Sequence, residues 1–148
     1  MDTKTQINNA MKDALRAKDQ VAKRTLTMVR AAIQQAEKDR KAELDETALM
    51  AILQKELKSR QETIVEARKA GRDDLVTDTE AEIVVLKKFL PEAMSEEDLR
   101  ALVAEVIAEV GASAPSDMGK VMKVIRPRVG GRAAGGDISR VVKELLQG

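Results

Sequence analysis

Cysteine, histidine, tryptophan and tyrosine are all missing from this 148-residue chain, and Phe89 is its one aromatic residue. Each absence closes a class of chemistry. Without imidazole or thiolate there is no Ser-His-Asp or Cys-His nucleophile system. Zinc and transition-metal sites built on those ligands are excluded with them. Without cysteine there is no disulfide, which fits a reducing compartment. Without Trp or Tyr, and with Phe89 expected in the core, there is no aromatic platform for unstacked bases. Proline occurs three times and glycine eight times, so breaks in regular structure are few. No apolar run approaches the roughly 20 residues that span a bilayer. The opening Met1-Asp2-Thr3-Lys4-Thr5-Gln6 has no apolar signal core. A soluble, cytoplasmic protein with no membrane segment is expected.

Known nucleotide signatures are absent too. There is no Gly-x-x-x-x-Gly-Lys-Ser/Thr phosphate loop and no dinucleotide fingerprint after a strand. Acid pairs such as Asp73-Asp74 and Glu96-Glu97 read as helix-start charges that complement the dipole. No catalytic residue, metal ligand or cofactor site is expected.

What remains is the vocabulary of helices. Ala, Leu, Val, Glu, Lys and Arg dominate, charged residues make up 34%, and hydrophobic residues reach 43%. Most of these side chains lose little rotamer freedom in a helix. Apolar residues recur at helical spacing in seven segments. The first spans about Thr5 to Lys18, with Ile7, Ala10, Met11, Ala14 and Leu15 inward. Asp19 caps a second that runs to about Arg40, with Val21, Thr25, Met28, Val29, Ala32, Ile33 and Ala36 on one side. Asp45 caps a third, reaching about Ala70 before Gly71 ends it. Asp73 or Asp74 starts a fourth, with Leu75, Thr79, Ile83, Leu86 and Leu90 on its face and Pro91 beyond. Ser95-Glu96-Glu97-Asp98 resembles a capping box and opens a fifth, closed by Gly111. Ala112 to Pro115 reads as a linker or turn, and Ser116 as the cap of a sixth whose frayed end carries Pro127. Asp137 reads as the cap of a seventh.

No strand alternation is sustained outside these patterns. The expected fold is all-α: an N-terminal antiparallel bundle of about four helices over residues 1–92, and a small C-terminal three-helix domain over 93–148. Some 55 residues lie near the lower limit for independent stability.

Charge is distributed unevenly along the second part. Glu92 to Ala114 holds six acids and one Arg, a net of −5. Pro115 to Gly148 holds seven Lys/Arg and three acids, a net of +4. The seven cations are Lys120, Lys123, Arg126, Arg128, Arg132, Arg140 and Lys143, and they flank the turn Gly130-Gly131-Arg132-Ala133-Ala134-Gly135-Gly136. Those glycines either admit a phosphate close to backbone N–H groups or simply connect two helices. Asp137 argues against an anion seated on the following helix, because it already occupies the positive end of the dipole. The cations are the candidate nucleic-acid-binding residues. Their contacts would go mainly to phosphate, sugar and overall shape. A second cationic stripe, Lys23/Arg30/Lys38/Lys41, has Glu37 beside it and reads as a solvated face.

Several motifs together carry a resemblance. They are Lys58-Ser59-Arg60, Arg72-x-Asp74-Leu75, and Glu82 leading to Phe89-Leu90-Pro91. Toward the C-terminus come Asp117-Met118-Gly119-Lys120-Val121-Met122, Pro127-Arg128 and Gly131-Arg132-Ala133. With these marks the chain resembles the YqeY proteins over nearly its whole length. That family shares its C-terminal domain with the tail of GatB, the tRNA-handling subunit of the glutamyl/aspartyl-tRNA amidotransferase. One departure stands out: the usual Asp-Gly after Gly-Arg-Ala is replaced by Ala134-Gly135-Gly136.

The resemblance implies an all-helical, two-part protein and tRNA as a partner, with a synthetase or an amidotransferase as a possible protein client. It also carries a family-level association with carbon–nitrogen ligase activity using glutamine as amide donor. The residues themselves supply no machinery for that reaction. The expectation is therefore a non-catalytic tRNA-binding accessory. The alternatives are a protein–protein adaptor that docks its N-terminal hairpins, or the ligase activity.

Overall fold

The computed structural model describes residues 2–147. Seven α-helices follow one another: α1 (Thr3–Ala17), α2 (Gln20–Arg40), α3 (Glu46–Lys69), α4 (Asp73–Lys87), α5 (Glu96–Val110), α6 (Met118–Val129) and α7 (Gly135–Gln147). A single 3-10 turn, Pro115–Asp117, precedes α6. No strand occurs among the described residues, so the fold is all-α. The chain divides into two compact units, Met1–Pro91 and Glu92–Gly148.

The helix starts are set by side-chain caps. Asp2, Asp19, Asp45 and Ser95 each accept a hydrogen bond from the backbone N–H three residues on, satisfying a donor that the first turn otherwise leaves orphaned. Lys18, Lys41 and Gly111 close their helices in the left-handed conformation.

In the first unit, α1 packs on α2 and α3 on α4, and α2 also touches α3 and α4. Lys4 bonds both carboxylate oxygens of Glu37 at 2.9 Å. That link joins the start of α1 to the end of α2, so the two helices run antiparallel around the short turn at Lys18–Asp19. The core comprises Ile7, Ala14, Leu26, Val29, Ile33, Leu49, Leu53, Val85 and Leu86, with Phe89 partly buried against it.

The periodicity misplaces three residues. Leu15, Met28 and Leu75 are exposed rather than inward. Leu15 and Met28 sit at the margins of their apolar stripes, and Leu75 lies in the first turn of α4. Met28 instead lies beside the guanidinium of Arg60, whose Nη2 is 3.6 Å from its sulfur.

The second unit is a three-helix cluster in which α5, α6 and α7 each pack on the other two. Its core is Leu99, Val103, Val106, Val121, Ile125, Val129, Ile138, Val141, Val142 and Leu146.

Three local details differ from expectation. Pro127 lies inside α6, which continues to Val129 and ends at Gly130. Proline's fixed φ is compatible with a helix, and its missing N–H costs one bond in the last turn rather than the whole turn. Asp137 is the third residue of α7 rather than its cap; the helix begins earlier because the Ala134 carbonyl already accepts from Ile138 N–H at 3.1 Å. Ser116 falls in the 3-10 turn, and Asp117 occupies the position before α6.

Candidate nucleic-acid interface

The acidic and basic segments fold into the same unit, so a charge split that is sharp along the chain is partly cancelled in space. Glu92–Gly148 holds nine acids and eight Lys/Arg, a net charge of −1. The carboxylates of α5 reach across to the cations of α6 and α7. Arg128 makes a two-pronged bond to Glu109, at 2.9 and 2.5 Å. Arg140 makes another to Glu96, at 3.0 and 2.8 Å, and also meets Glu144 at 3.4 Å. Arg100 joins the same cluster through Glu96 and Glu144. Arg132 donates from Nε to the Glu92 carbonyl at 3.2 Å, while Met94 N–H bonds back to the Arg132 carbonyl at 2.8 Å. Arg132 thereby pins the segment entering α5, and no carboxylate among the described residues pairs with its charge.

The other four candidates, Lys120, Lys123, Arg126 and Lys143, are exposed and make no ion pair among the described residues. Their placement follows from helix geometry at ~100° per residue. Val121, Ile125 and Val129 point α6 into the core. Lys120 and Lys123 fall on the opposite, outward side. Arg128 lies on the flank toward α5, where it meets Glu109. Arg126 lies on the other flank, toward α7. On α7, Arg140 and Glu144 mark the flank toward α5, and Lys143 falls on the flank toward α6. The seven candidates therefore separate into two sets. Arg128 and Arg140 are tied to α5 and Arg132 to the chain before it. Lys120, Lys123, Arg126 and Lys143 line the outer side of α6 and its seam with α7.

The titration behaviour matches this division. Hydrogen bonding from Arg128 holds the Glu109 carboxyl below its ordinary range. The bond from Arg140 does the same for Glu96, and that from Arg100 for Glu144. Asp117 is lowered mainly by backbone N–H bonds from Ser113 and Ala114, at 2.9 and 3.2 Å, with Lys120 as a lesser charge effect. All these carboxylates are ionised at neutral pH and keep their partners.

Sequence reasoning missed the carboxylates that decide which cations remain available. The i,i+4 pairs Glu96/Arg100 and Arg140/Glu144 are visible in the sequence. Glu109–Arg128 and Glu96–Arg140 are separated by 19 and 44 residues, and local spacing carries no signal for them.

Elsewhere, a shallow cleft of about 180 Å³ lies between α1 and α2, with Lys4, Asn8, Arg30, Gln34 and Glu37 around a floor of Ile7 and Ile33. Its Lys4 and Glu37 bond to each other. No group of three or more potential metal ligands occurs among the described residues, and no helix among them is long and apolar enough to cross a membrane.

Comparison with known proteins assigns the relationship. Residues 4–146 match the family described as "Yqey-like protein". "Altered inheritance of mitochondria protein 41, mitochondrial" of Pyrenophora tritici-repentis is 32% identical over 142 residues, covering 92% of this chain and 76% of that protein. The protein of the same name from Lachancea thermotolerans is 32% identical over 119 residues, covering 78% of this chain and 64% of that one. An uncharacterized protein of Schizosaccharomyces pombe is 30% identical over 89 residues, 60% of this chain and 72% of its own length. With the family matched from the start of α1 to the end of α7, the chain belongs to the Yqey-like proteins.

Proposed function

We propose that the protein is a non-catalytic accessory that binds tRNA through its C-terminal unit. The observation that carries the reading is α6. It holds Lys120, Lys123, Arg126 and Arg128 and no acid, and among the described residues only Arg128 is bound to a carboxylate. Its apolar face is fully used by the core, where Val121 and Ile125 are 0% exposed. The outer cations thus have no evident part in holding the unit together, and their like charges repel one another unless an anion lies against them. With no aromatic platform, the contacts suit the phosphates and sugars of a folded RNA better than unstacked bases. The choice of tRNA among folded RNAs rests on the resemblance to the amidotransferase tail, and the cytoplasm is the compartment this reading assigns.

The test is tRNA affinity at low salt for the triple variant Lys120→Glu, Lys123→Glu, Arg126→Glu. Binding should fall at least tenfold while the helical circular dichroism is retained. Unchanged affinity would refute the assignment. Arg128 is a poorer target, since Arg128→Glu sets a second carboxylate against Glu109 and destabilises the unit before binding is measured.

A protein–protein adaptor is the second reading, and a separate observation favours it. Leu15, Met28, Val65, Leu75 and Val84, from 37% to 61% exposed, all belong to Met1–Pro91. Exposed apolar side chains of this size suit a protein partner such as a synthetase or an amidotransferase. That reading expects a complex that survives nuclease and high salt, which a phosphate-driven complex does not. For the carbon–nitrogen ligase association we expect no amide on Glu-tRNA or Asp-tRNA when the purified chain is given ATP and glutamine.

A further inference from the structure

Gly119 is a glycine that the fold does not need. It lies in the first turn of α6 with ordinary helical φ, and a Cβ placed on it would meet nothing within 4 Å among the described residues. Gly71, Gly111, Gly130 and Gly131 all adopt positive φ, whereas Gly135, the first residue of α7, shares the open surroundings of Gly119 but lies outside the cationic stripe of α6. Glycine is a poor helix former and alanine the best, so the bare position weakens α6 without relieving any internal crowding. Its place on the helix is specific. Gly119, Lys123 and Arg126 stand at i, i+4 and i+7, a single stripe along the outer α6/α7 side, with Lys143 across the seam.

Pro127, exposed on the same outer side, adds a second irregularity. It has no N–H to return to the Lys123 carbonyl, so an acceptor on this face loses its usual intrahelical partner. The stripe thus offers uncompensated positive charge, a carbonyl short of its donor, and one spot where the helix backbone can be approached to contact distance. A sugar–phosphate strand has the complementary groups: negative oxygens at regular intervals and, in RNA, a 2′-hydroxyl donor between them.

We propose that one strand of a folded RNA runs along the α6/α7 seam over Lys123, Arg126 and Lys143, and that Gly119 is where its backbone comes closest to the protein. This rests on the RNA reading above and adds the path and the point of closest approach. It does not depend on the end of α6 as an anion site, because Asp117 stands directly before that helix.

The test uses the full chain, unfractionated tRNA as probe, and the variants Gly119→Ala and Gly119→Leu. Both should melt no lower than the wild type, because the added side chain enters open space and favours the helix. Affinity for tRNA should nevertheless fall, a few-fold for Ala and at least tenfold for Leu, in order of side-chain size. Lys143→Glu should weaken binding, whereas Glu109→Gln should not. If the wild type binds no tRNA, this inference and the reading beneath it both fall. If the wild type binds and Gly119→Leu binds equally well, the path over Gly119 alone is wrong. If duplex DNA or polyglutamate displaces the probe as effectively as competing tRNA, the RNA strand is the wrong occupant of the seam.

Discussion

Arg60 carries a positive charge into the interior of the first unit, with 6% of its surface exposed. Burial of that kind is costly unless every donor finds a partner. Its Nε bonds Glu82 at 3.1 Å, and its Nη1 bonds the Glu56 carbonyl at 3.1 Å and the Glu56 carboxylate at 3.4 Å. Glu82 also takes Arg24, at 3.4 Å. Removing one member of a buried pair strands the other, a loss of about 3–5 kcal/mol in comparable cases. Arg60→Ala should therefore lower the unfolding free energy in urea by roughly that amount. The apolar double replacement Arg60→Met, Glu82→Leu should recover most of it. A double variant as unstable as the single one would assign the cost to lost packing instead. Sequence alone marks both residues, since Lys58-Ser59-Arg60 and Glu82 stand among the family motifs. It could not join them, because the contact spans two helices and 22 residues. Leu15 and Met28 show the converse. Helical spacing says which residues share a stripe, but the edge of the stripe is set by how far a neighbouring helix reaches.

At the scale of the helix, the legible features are those with short-range causes. Asp19, Asp45, Ser95 and Gly111 declare their helix ends because a cap acts within three or four residues. Pro127 and Asp137 mislead for the same reason: their local preference is real, and tertiary packing of Val129 and Ile138 outweighs it. That conflict is measurable. Pro127→Ala restores a donor for the Lys123 carbonyl and should stabilise the C-terminal unit by about 1–3 kcal/mol in thermal or urea unfolding. A destabilised variant would mean that the proline ring packs against something the fold requires. The ties from α5 make a second prediction. Glu96, Glu109 and Glu144 are all held below the ordinary carboxyl value of 4.5 by guanidinium hydrogen bonds. The unfolded chain therefore takes up protons before the folded one does, and stability falls as pH drops through and below 4.5. Above it the contribution is fully present, so the melting temperature should be flat toward neutral pH. Glu109→Gln should make the acid-side decline shallower. An unchanged acid decline in that variant would show that the Arg128 pair adds nothing to the native state, as holds for many exposed pairs.

For the molecule as a whole, net charge is a poor guide to what it binds. The chain carries +1, and the C-terminal unit, where the candidate cations lie, carries −1. Long-range attraction of a polyanion is therefore weak, and any affinity must come from cations that are locally uncompensated. Reading the sequence gives seven such residues; among the described residues the fold ties Arg128 and Arg140 to carboxylates and Arg132 to the Glu92 carbonyl, and leaves Lys120, Lys123, Arg126 and Lys143 without such a tie. The difference is visible in one experiment, because each phosphate contact releases counterions and sets the dependence of binding on salt. Four contacts give a slope of log K against log salt of roughly −3 to −4, and seven give about −5 to −6. With four, raising salt from 50 to 200 mM should weaken tRNA binding by roughly 60- to 250-fold, and with seven by more than about 1,000-fold. We expect the shallower slope. Lys123→Glu should flatten it by about one further unit, whereas Arg140→Gln should leave it unchanged while lowering the melting temperature. A wild-type slope near −6 would mean that the carboxylates of α5 release Arg128 and Arg140 when RNA arrives, turning the internal ion pairs into part of the binding surface. A slope near zero would remove phosphate contacts altogether and leave the exposed apolar residues of the first unit as the better guide to a partner.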